Sequence, residues 1–511
     1  MILYSIAWSV SEKPGSQAIL PLARANKEVY IFRSKLKLGI MLVRSARRFA
    51  GHSGRGTRKW TSVFDASSFR SVTSRNGIAT TADSDFLSSW RQYSVATSFK
   101  SQGILRQGVA ENVEAAHIPA DISADELVVN PSAFLKPKPA LDASKLRFGA
   151  EYTDHMMQIR WKEGLGWSNP RIEPFGPIPI HPCAQVLHYG MECFEGMKAF
   201  KGKDGRIRLF RPDLNMERLH GSATRLGFPS FDKEALLDCI KALVLVERDW
   251  VPDKDGFSLY IRPTIISTHP HLGVGPPREA MIFCVLSPVG PYYPTGLKPV
   301  RLFVDRKHVR AFPGGIGDAK VGGNYAPTIL PQLKAAQRGC SQVLYVLDDG
   351  RDGGAIGESG AMNVFFLFKK DDDSLELVTP PLDGVILPGV TRDTVLALTR
   401  SFGNIKVSER RLSWNEVEEA GLQGSILEIF GTGTACMIQP IIGLVKEDNT
   451  EITLSFDHDA ASYWLSKPQG SSTNANADGS EPFNLCGRLT RTILDIQYGH
   501  SSSSWSVVLG E

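Results

Sequence analysis

Cysteine is scarce in this 511-residue chain. Seven residues (Cys183, Cys193, Cys239, Cys284, Cys340, Cys436 and Cys486) stand apart, with no CxxC pair and no dense framework. A disulfide-stapled scaffold and a thiolate zinc site are thereby excluded, and a reducing compartment with no bound metal is expected. Long apolar runs are also missing. The longest, such as residues 280–289, fall well short of the roughly 20 residues that a bilayer-crossing helix needs, so no membrane partner is expected. Acidic residues are short in one region only: residues 1–110 hold 17 Lys and Arg against 5 Asp and Glu, leaving 41 against 49 for the remainder. The modest net charge of +4 thus hides a basic leader on a mildly acidic body.

That leader is rich in Arg and Ser, reading MLVRSARR from Met41, then GHSGRGTRKW and SSFRSVTSR. The composition suits a mitochondrial transit peptide, and Arg91-Gln92-Tyr93-Ser94 looks like a matrix-processing signal that places the mature start near Tyr93 or Ser94. A plain disordered tail, with the protein in the cytoplasm, is the alternative. A nucleic-acid-binding arm has no aromatic stacking motif behind it, so no nucleic-acid partner is expected. Residues 1–40 fit poorly ahead of such a leader, and Met41 would be a more natural start.

From about Ala115 the pattern is that of an ordered α/β (α+β) protein without internal repeats. Residues 256–267 (GFSLYIRPTIIS) and 281–286 are β-rich, whereas residues 215–226 and 233–246 repeat apolar side chains at helical spacing. A Pro/Gly cluster, SPVGPYYPTGLKP, then reads as a connection, and beyond it strands and helices alternate as in a layered domain. The expected organisation is a leader over 1–93, a linker over 94–114, a small α+β domain over 115–290, an interdomain loop over 291–300, a large α/β domain over 301–500 and a tail over 501–511. Within the large domain, residues 466–481 (SKPQGSSTNANADGSE) read as a disordered loop before a final helix.

One segment stands out chemically. Residues 314–325, GGIGDAKVGGNY, set a single lysine, Lys320, among glycines that let backbone approach a flat or anionic ligand. A nucleotide-binding P-loop is excluded, because it needs glycine before the lysine and Ser or Thr after it, where Ala319 and Val321 stand. Alone, such a lysine reads more often as an ordinary surface-loop residue than as a catalytic one. Further along, Gly389, Val390 and Thr391 follow Pro388 and open the helical stretch TRDTVLALTR. The unpaired amides of Val390 and Thr391 should face an anion from the positive end of that helix.

Seven blocks in order, LHYGMECFEGMKAFKG, FRPDLNMERL, SLYIRPT, GGIGDAKVGGNYAPT, GESGAMNVF, LVTPPLDGVILPGVTRD and FGTGTACMI, resemble the branched-chain amino acid aminotransferases, eukaryotic mitochondrial type, over residues 115–499. The resemblance implies the two-domain pyridoxal 5′-phosphate (PLP) fold type IV, D-amino acid aminotransferase-like. It also implies a homodimer that transfers amino groups between L-leucine, L-isoleucine or L-valine and 2-oxoglutarate by a ping-pong mechanism. Such chemistry asks for a lysine to hold the cofactor, an acid to protonate its ring nitrogen, a phenol near O3′ and a cradle for its phosphate. By resemblance Lys320 is the Schiff-base lysine and proton shuttle, Glu358 the ring-nitrogen acid and Tyr325 the phenol. Arg218, Leu387, Val390, Thr391 and Thr434 complete the cofactor set, Arg218 and Thr434 reaching the phosphate. The amides of Thr434 and Ala435 would take the substrate α-carboxylate. Tyr189, Phe194 and Tyr260, with Val274 from across a dimer interface and Tyr292 from the interdomain loop, would line the side-chain pocket. Arg262, two residues after Tyr260 and so on the same strand face, would meet the distal carboxylate of glutamate.

Apart from surface-loop changes around residues 466–481 and in DDGRDGGAI before Glu358, the chain departs from its relatives in two places. Cys436-Met437-Ile438-Gln439 lacks the second cysteine of the CxxC that mammalian members carry, so no redox-switching disulfide is expected. Ala361 stands where many members have threonine, which leaves the preference among the three substrates open.

Overall fold

The computed structural model describes residues 121–142, 146, 148–290, 297–470 and 481–510, together with the backbone of 30–34 and 37–41. Most of the leader and all of the linker lie outside the described residues. The two strands described there, Tyr30–Ser34 and Lys37–Met41, pair antiparallel. The remaining described chain falls in one compact unit, Val109–Glu511, which contains two sheets.

The first sheet runs in the spatial order Ser506–Val508, Ile207–Phe210, Met197–Lys201, Ser258–Ser267, Glu279–Val289, His155–Lys162, Arg171–Pro174, Val128–Val129. Its central strand, Ser258–Ser267, is rich in β-branched residues and buried along its length except at Arg262. Helices Pro212–Arg225 and Lys233–Val246 cover the sheet. Met216 and Leu219 from one helix, and Leu236, Ile240 and Leu243 from the other, share a core with Ile159, Leu259, Ile261 and Ile282. The spacing of three and four puts these residues on single helix faces, and Asp232 caps the second helix by accepting from the Ala235 amide at 2.8 Å. Residues 501–511 are not simply a tail, because Ser506–Val508 pairs with Ile207–Phe210 and closes one edge of the sheet. Three residues are too few to show a period, so no pattern in the chain announces this strand.

The second sheet orders Ala355–Ser359, Gln342–Leu347, Val300–Asp305, Met437–Val445, Ile426–Gly433, Asn363–Lys369, Leu375–Thr379 and Lys406–Glu409, with mixed pairing. It is covered on both faces. Along Asn363–Lys369, Phe365 and Leu367 pack with helices Val390–Phe402 and Leu485–Gln497, while Val364, Phe366 and Phe368 pack with Trp414–Gln423. Burial on two sides explains why this strand reads as an unbroken apolar run. Ser466 ends helix His458–Ser466, and residues 471–480 of the expected loop lie outside the described residues. Apart from the returning Ser506–Val508, strands of the first sheet end at Val289 and those of the second begin at Val300.

Candidate active site

Side chains from both sheets converge on Lys320. Its backbone is pinned from two sides: the amide donates to Ser222 Oγ of helix Pro212–Arg225 at 2.8 Å, and its carbonyl accepts from the Phe194 amide at 3.0 Å. The half-buried side chain carries Nζ to 3.0 Å from Tyr325 Oη and 5.0 Å from the centre of the Phe194 ring. Tyr325 follows the short helical turn Gly322–Asn324, and its ring centre lies 5.3 Å from that of Phe194. Among the glycines around the lysine, Gly322 packs against the end of the Glu192 side chain, which would have to move to admit a Cβ.

Glu358 lies at the end of strand Ala355–Ser359 with its carboxyl only 3% exposed. Oε1 accepts from Asn363 Nδ2 at 3.1 Å, and Oε2 stands 2.6 Å from Arg310 Nη1 without being aligned as a hydrogen bond. Burial pushes this carboxyl above its usual range, opposed by the Arg310 guanidinium, the Leu387 amide and more distant charge from Lys320 and Arg218. Asn363 also donates to the Leu387 carbonyl at 2.9 Å, so one amide ties the acid to the turn that precedes helix Val390–Phe402. A Cβ at Gly389 would fall 2.1 Å from Asn363 Oδ1, which explains glycine there.

The anion-binding candidates form a third group. Arg218 donates through Nε and Nη2 to Glu195 at 2.6 and 2.9 Å, and through Nη1 to the Pro388 carbonyl at 3.0 Å. Val390, Thr391 and Thr434 line one small cavity together with Lys198 and Asn215. Thr434 and Ala435 form the turn between strands Ile426–Gly433 and Met437–Val445, and the Ala435 carbonyl accepts from Lys198 Nζ at 3.0 Å. A larger cleft of about 460 Å³ is lined by Arg218, Gly389 and Val390 but by neither Lys320, Tyr325 nor Glu358, so it backs the anion group and not the amine.

Of the expected pocket residues, three meet. Tyr260 is buried, its Oη accepts from Arg262 Nη2 at 2.9 Å, and the Arg262 guanidinium lies 4.7 Å from the Phe194 ring centre. Tyr189 is 43% exposed and its hydroxyl donates to the Leu272 carbonyl, which ties it to the loop that carries Val274. Val274 itself is 80% exposed, and Tyr292 lies outside the described residues. Cys436 is a free thiol 3.4 Å from Met362 Sδ, and burial pushes it up to about 11.

Residues 192–443 match the model of the amino-transferase class IV family. The cytosolic branched-chain-amino-acid aminotransferase of Mus musculus is 44% identical over 387 residues, covering 76% of this chain and 93% of its own length. The chain belongs to the class IV branched-chain-amino-acid aminotransferases. Another member, the mitochondrial enzyme of Bos taurus, is 49% identical over 307 residues, covering 60% of this chain and 77% of its own. The solved T.th. branched-chain amino acid aminotransferase, complexed with N-(5′-phosphopyridoxyl)-L-glutamate, shares the fold at a TM-score of 0.50, 23% identity and coverage of 69% of this chain and 98% of that one. The two-sheet α/β architecture is therefore PLP fold type IV, and members of this class depend on PLP.

Sequence reasoning missed Arg310, Asn363, Glu195 and Lys198. The first two touch Glu358 from positions 48 residues before it and 5 after it, so spacing offers no link. Glu195 and Lys198 stood inside the block FEGMKAF, and a carboxylate and an ammonium within an otherwise apolar strand segment were the available signal.

Proposed function

We propose that this chain is a PLP-dependent branched-chain-amino-acid transaminase that acts on L-leucine, L-isoleucine and L-valine with 2-oxoglutarate, by a ping-pong route giving the branched-chain 2-oxo acids and L-glutamate. The observation that carries the reading is the Lys320 amine 3.0 Å from the Tyr325 phenol, in a chain whose second sheet also holds the buried acid Glu358 paired with Arg310. These residues fit the cofactor group by group: an amine for its aldehyde, Glu358 for its ring nitrogen, Tyr325 for its phenolate oxygen, and Arg218, Val390, Thr391 and Thr434 for its phosphate. When bound, the cofactor's protonated ring supplies the electron sink for the charge that develops at the substrate Cα. Lys320 would hold the cofactor and, once displaced by substrate, its Nζ would move the proton between the substrate Cα and the cofactor's C4′ carbon, so each half-reaction uses it twice, as acceptor and then as donor. Glu358, pushed up by burial and opposed by Arg310, would sit against the ring nitrogen and favour its protonated form. The Tyr325 hydroxyl fixes the amine's approach. The turn amides of Thr434 and Ala435 receive the α-carboxylate, while Phe194 and Tyr260 offer an apolar wall and Arg262 a cation for the second carboxylate of glutamate.

The chain works as a homodimer in this reading, with Val274 reaching a partner's pocket, which its 80% exposure permits. The basic, serine-rich leader supports the mitochondrial matrix as its place, after cleavage near Ser94. Mass spectrometry of the natural amino terminus tests that placement. For function, protein beginning at Ser94 is purified, examined for the yellow colour of bound PLP, and supplied with L-leucine and 2-oxoglutarate. Colour and glutamate are expected, and Lys320→Ala should lose both, with Lys320→Arg no better. A colourless wild-type protein that forms no glutamate sinks the reading, and so does a coloured, fully active Lys320→Ala.

A further inference from the structure

Tyr260, the buried phenol of the side-chain pocket, is backed by a ring that belongs to neither sheet. Phe148 stands edge-on to it, with ring centres 4.8 Å apart and planes at 67°. Tyr260 Oη in turn accepts from Arg262 Nη2 at 2.9 Å. The seat of Tyr260, and through it that of the Arg262 guanidinium, therefore depends on where Phe148 is held.

Phe148 is 48% exposed and opens a turn over residues 148–151, so core packing alone does not fix it. Tyr152 closes that turn. Its hydroxyl donates to the Gly149 carbonyl at 2.6 Å, while its ring stacks on Phe175 with centres 5.0 Å apart and planes 9° from parallel. Lys136 Nζ donates to the Tyr152 and Thr153 carbonyls at 2.7 and 2.9 Å, and the Thr153 amide donates to the Leu286 carbonyl of strand Glu279–Val289 at 3.1 Å. Asp154, buried next in the chain, accepts from the Lys136 amide at 2.8 Å, from Trp250 Nε1 at 2.7 Å and from Lys138 Nζ at 2.9 Å. Residues 152–154 are thus anchored to the first sheet and to the segment around Lys136, and the Tyr152 hydroxyl carries that anchorage into the turn.

We propose that Tyr152 is a positioning residue for substrate recognition: its hydroxyl, bonded to the Gly149 carbonyl, fixes the turn that holds Phe148 against Tyr260, and Tyr260 in turn sets the place of Arg262. The inference rests on the reading of Tyr260 and Arg262 as groups that meet substrate. Lys320 and Tyr325 are held by other contacts, so removing the hydroxyl acts on substrate binding and leaves the chemistry at the substrate Cα in place.

The test compares wild-type holoenzyme with Tyr152→Phe, Phe148→Ala, the double variant and Arg262→Met, measuring KM and kcat for L-leucine and 2-oxoglutarate beside PLP absorbance and thermal stability. Tyr152→Phe keeps the ring on Phe175 and loses only the bond to Gly149. Loss of one such hydrogen bond should raise KM for both substrates roughly 3- to 10-fold, with a smaller change in kcat and unchanged PLP absorbance. In the Phe148→Ala background the same substitution should alter KM by no more than about twofold, because the ring it positions is gone. An equal rise in both backgrounds, an unchanged KM where Phe148 is present, or a fall in kcat that tracks lost PLP overturns the proposal. So does a Phe148→Ala enzyme with wild-type KM for both substrates. Arg262→Met with an unaltered KM for 2-oxoglutarate overturns instead the pocket reading beneath it, and wild type that forms no glutamate from L-leucine overturns the activity itself.

Discussion

Replacing Lys198 with methionine should make the cofactor-free protein more stable at neutral pH. The folded cavity lowers the lysine from its ordinary 10.5 to about 8, chiefly by desolvation. At about 1.36 kcal/mol per pH unit, holding that ammonium at pH 7 costs about 3 kcal/mol. The side chain is half-buried, so solvent screening trims the figure, and methionine forfeits the bond to the Ala435 carbonyl, worth about 1 kcal/mol. A net gain of about 1–2 kcal/mol remains. The sign follows from the depressed folded value. Below about 8 both states carry the proton and the penalty is complete; between about 8 and 10.5 the folded protein releases a proton that the unfolded chain keeps, so wild type gains stability as pH rises. Urea unfolding of both cofactor-free proteins at pH 7 and near pH 10 measures this directly. A variant less stable than wild type at pH 7, or an advantage that does not shrink toward pH 10, refutes the reasoning.

Arg310→Met leaves Glu358 buried without its cation and should cost about 3–5 kcal/mol in chemical unfolding, part of which Glu358→Gln restores in the double variant. Because burial already holds the Glu358 carboxyl above its ordinary 4.5, the single variant should be most stable in acid and lose stability as pH climbs past that value. Gly389→Ala drives a Cβ onto Asn363 Oδ1 and should loosen the amide that joins Glu358 to Leu387, raising the PLP dissociation constant roughly tenfold in an absorbance titration. Tyr325→Phe removes the contact 3.0 Å from Lys320 Nζ and should lower kcat about 10- to 100-fold with a smaller change in KM, read by coupled glutamate formation.

Much of the second half of the fold was legible because its strands are covered on both faces. NVFFLF, QVLYVL and the helix opened by Gly389 announce themselves through composition alone, as does Lys233–Val246 through its three-and-four spacing. The lysine and the phenol were named by sequence and meet, with Tyr325 five residues from Lys320, while Glu358, on a different strand, feels Lys320 only as a more distant charge. What stayed hidden are residues whose part depends on a partner distant in the chain. Arg310 reads as one more basic residue in RKHVR until the loop after strand Val300–Asp305 sets it against Glu358. Glu195 and Lys198 are three positions apart, yet one faces Arg218 and the other the Ala435 carbonyl, a divergence that no periodicity encodes. Arg262 was placed correctly on the face of Tyr260, but its hydrogen bond to that phenol is a property of rotamers, which sequence leaves open.

The strand Ser506–Val508, paired with Ile207–Phe210, makes the first sheet depend on residues synthesised long after its other strands. A ribosome must deliver about 300 further residues after Phe210 before that edge is covered. Throughout that interval a row of unmatched amides and carbonyls lies open to any extended neighbour, which gives chaperones a defined stretch to guard during translation or passage through a membrane pore. A truncation that removes Ser506–Val508 would leave the same edge bare for the life of the protein.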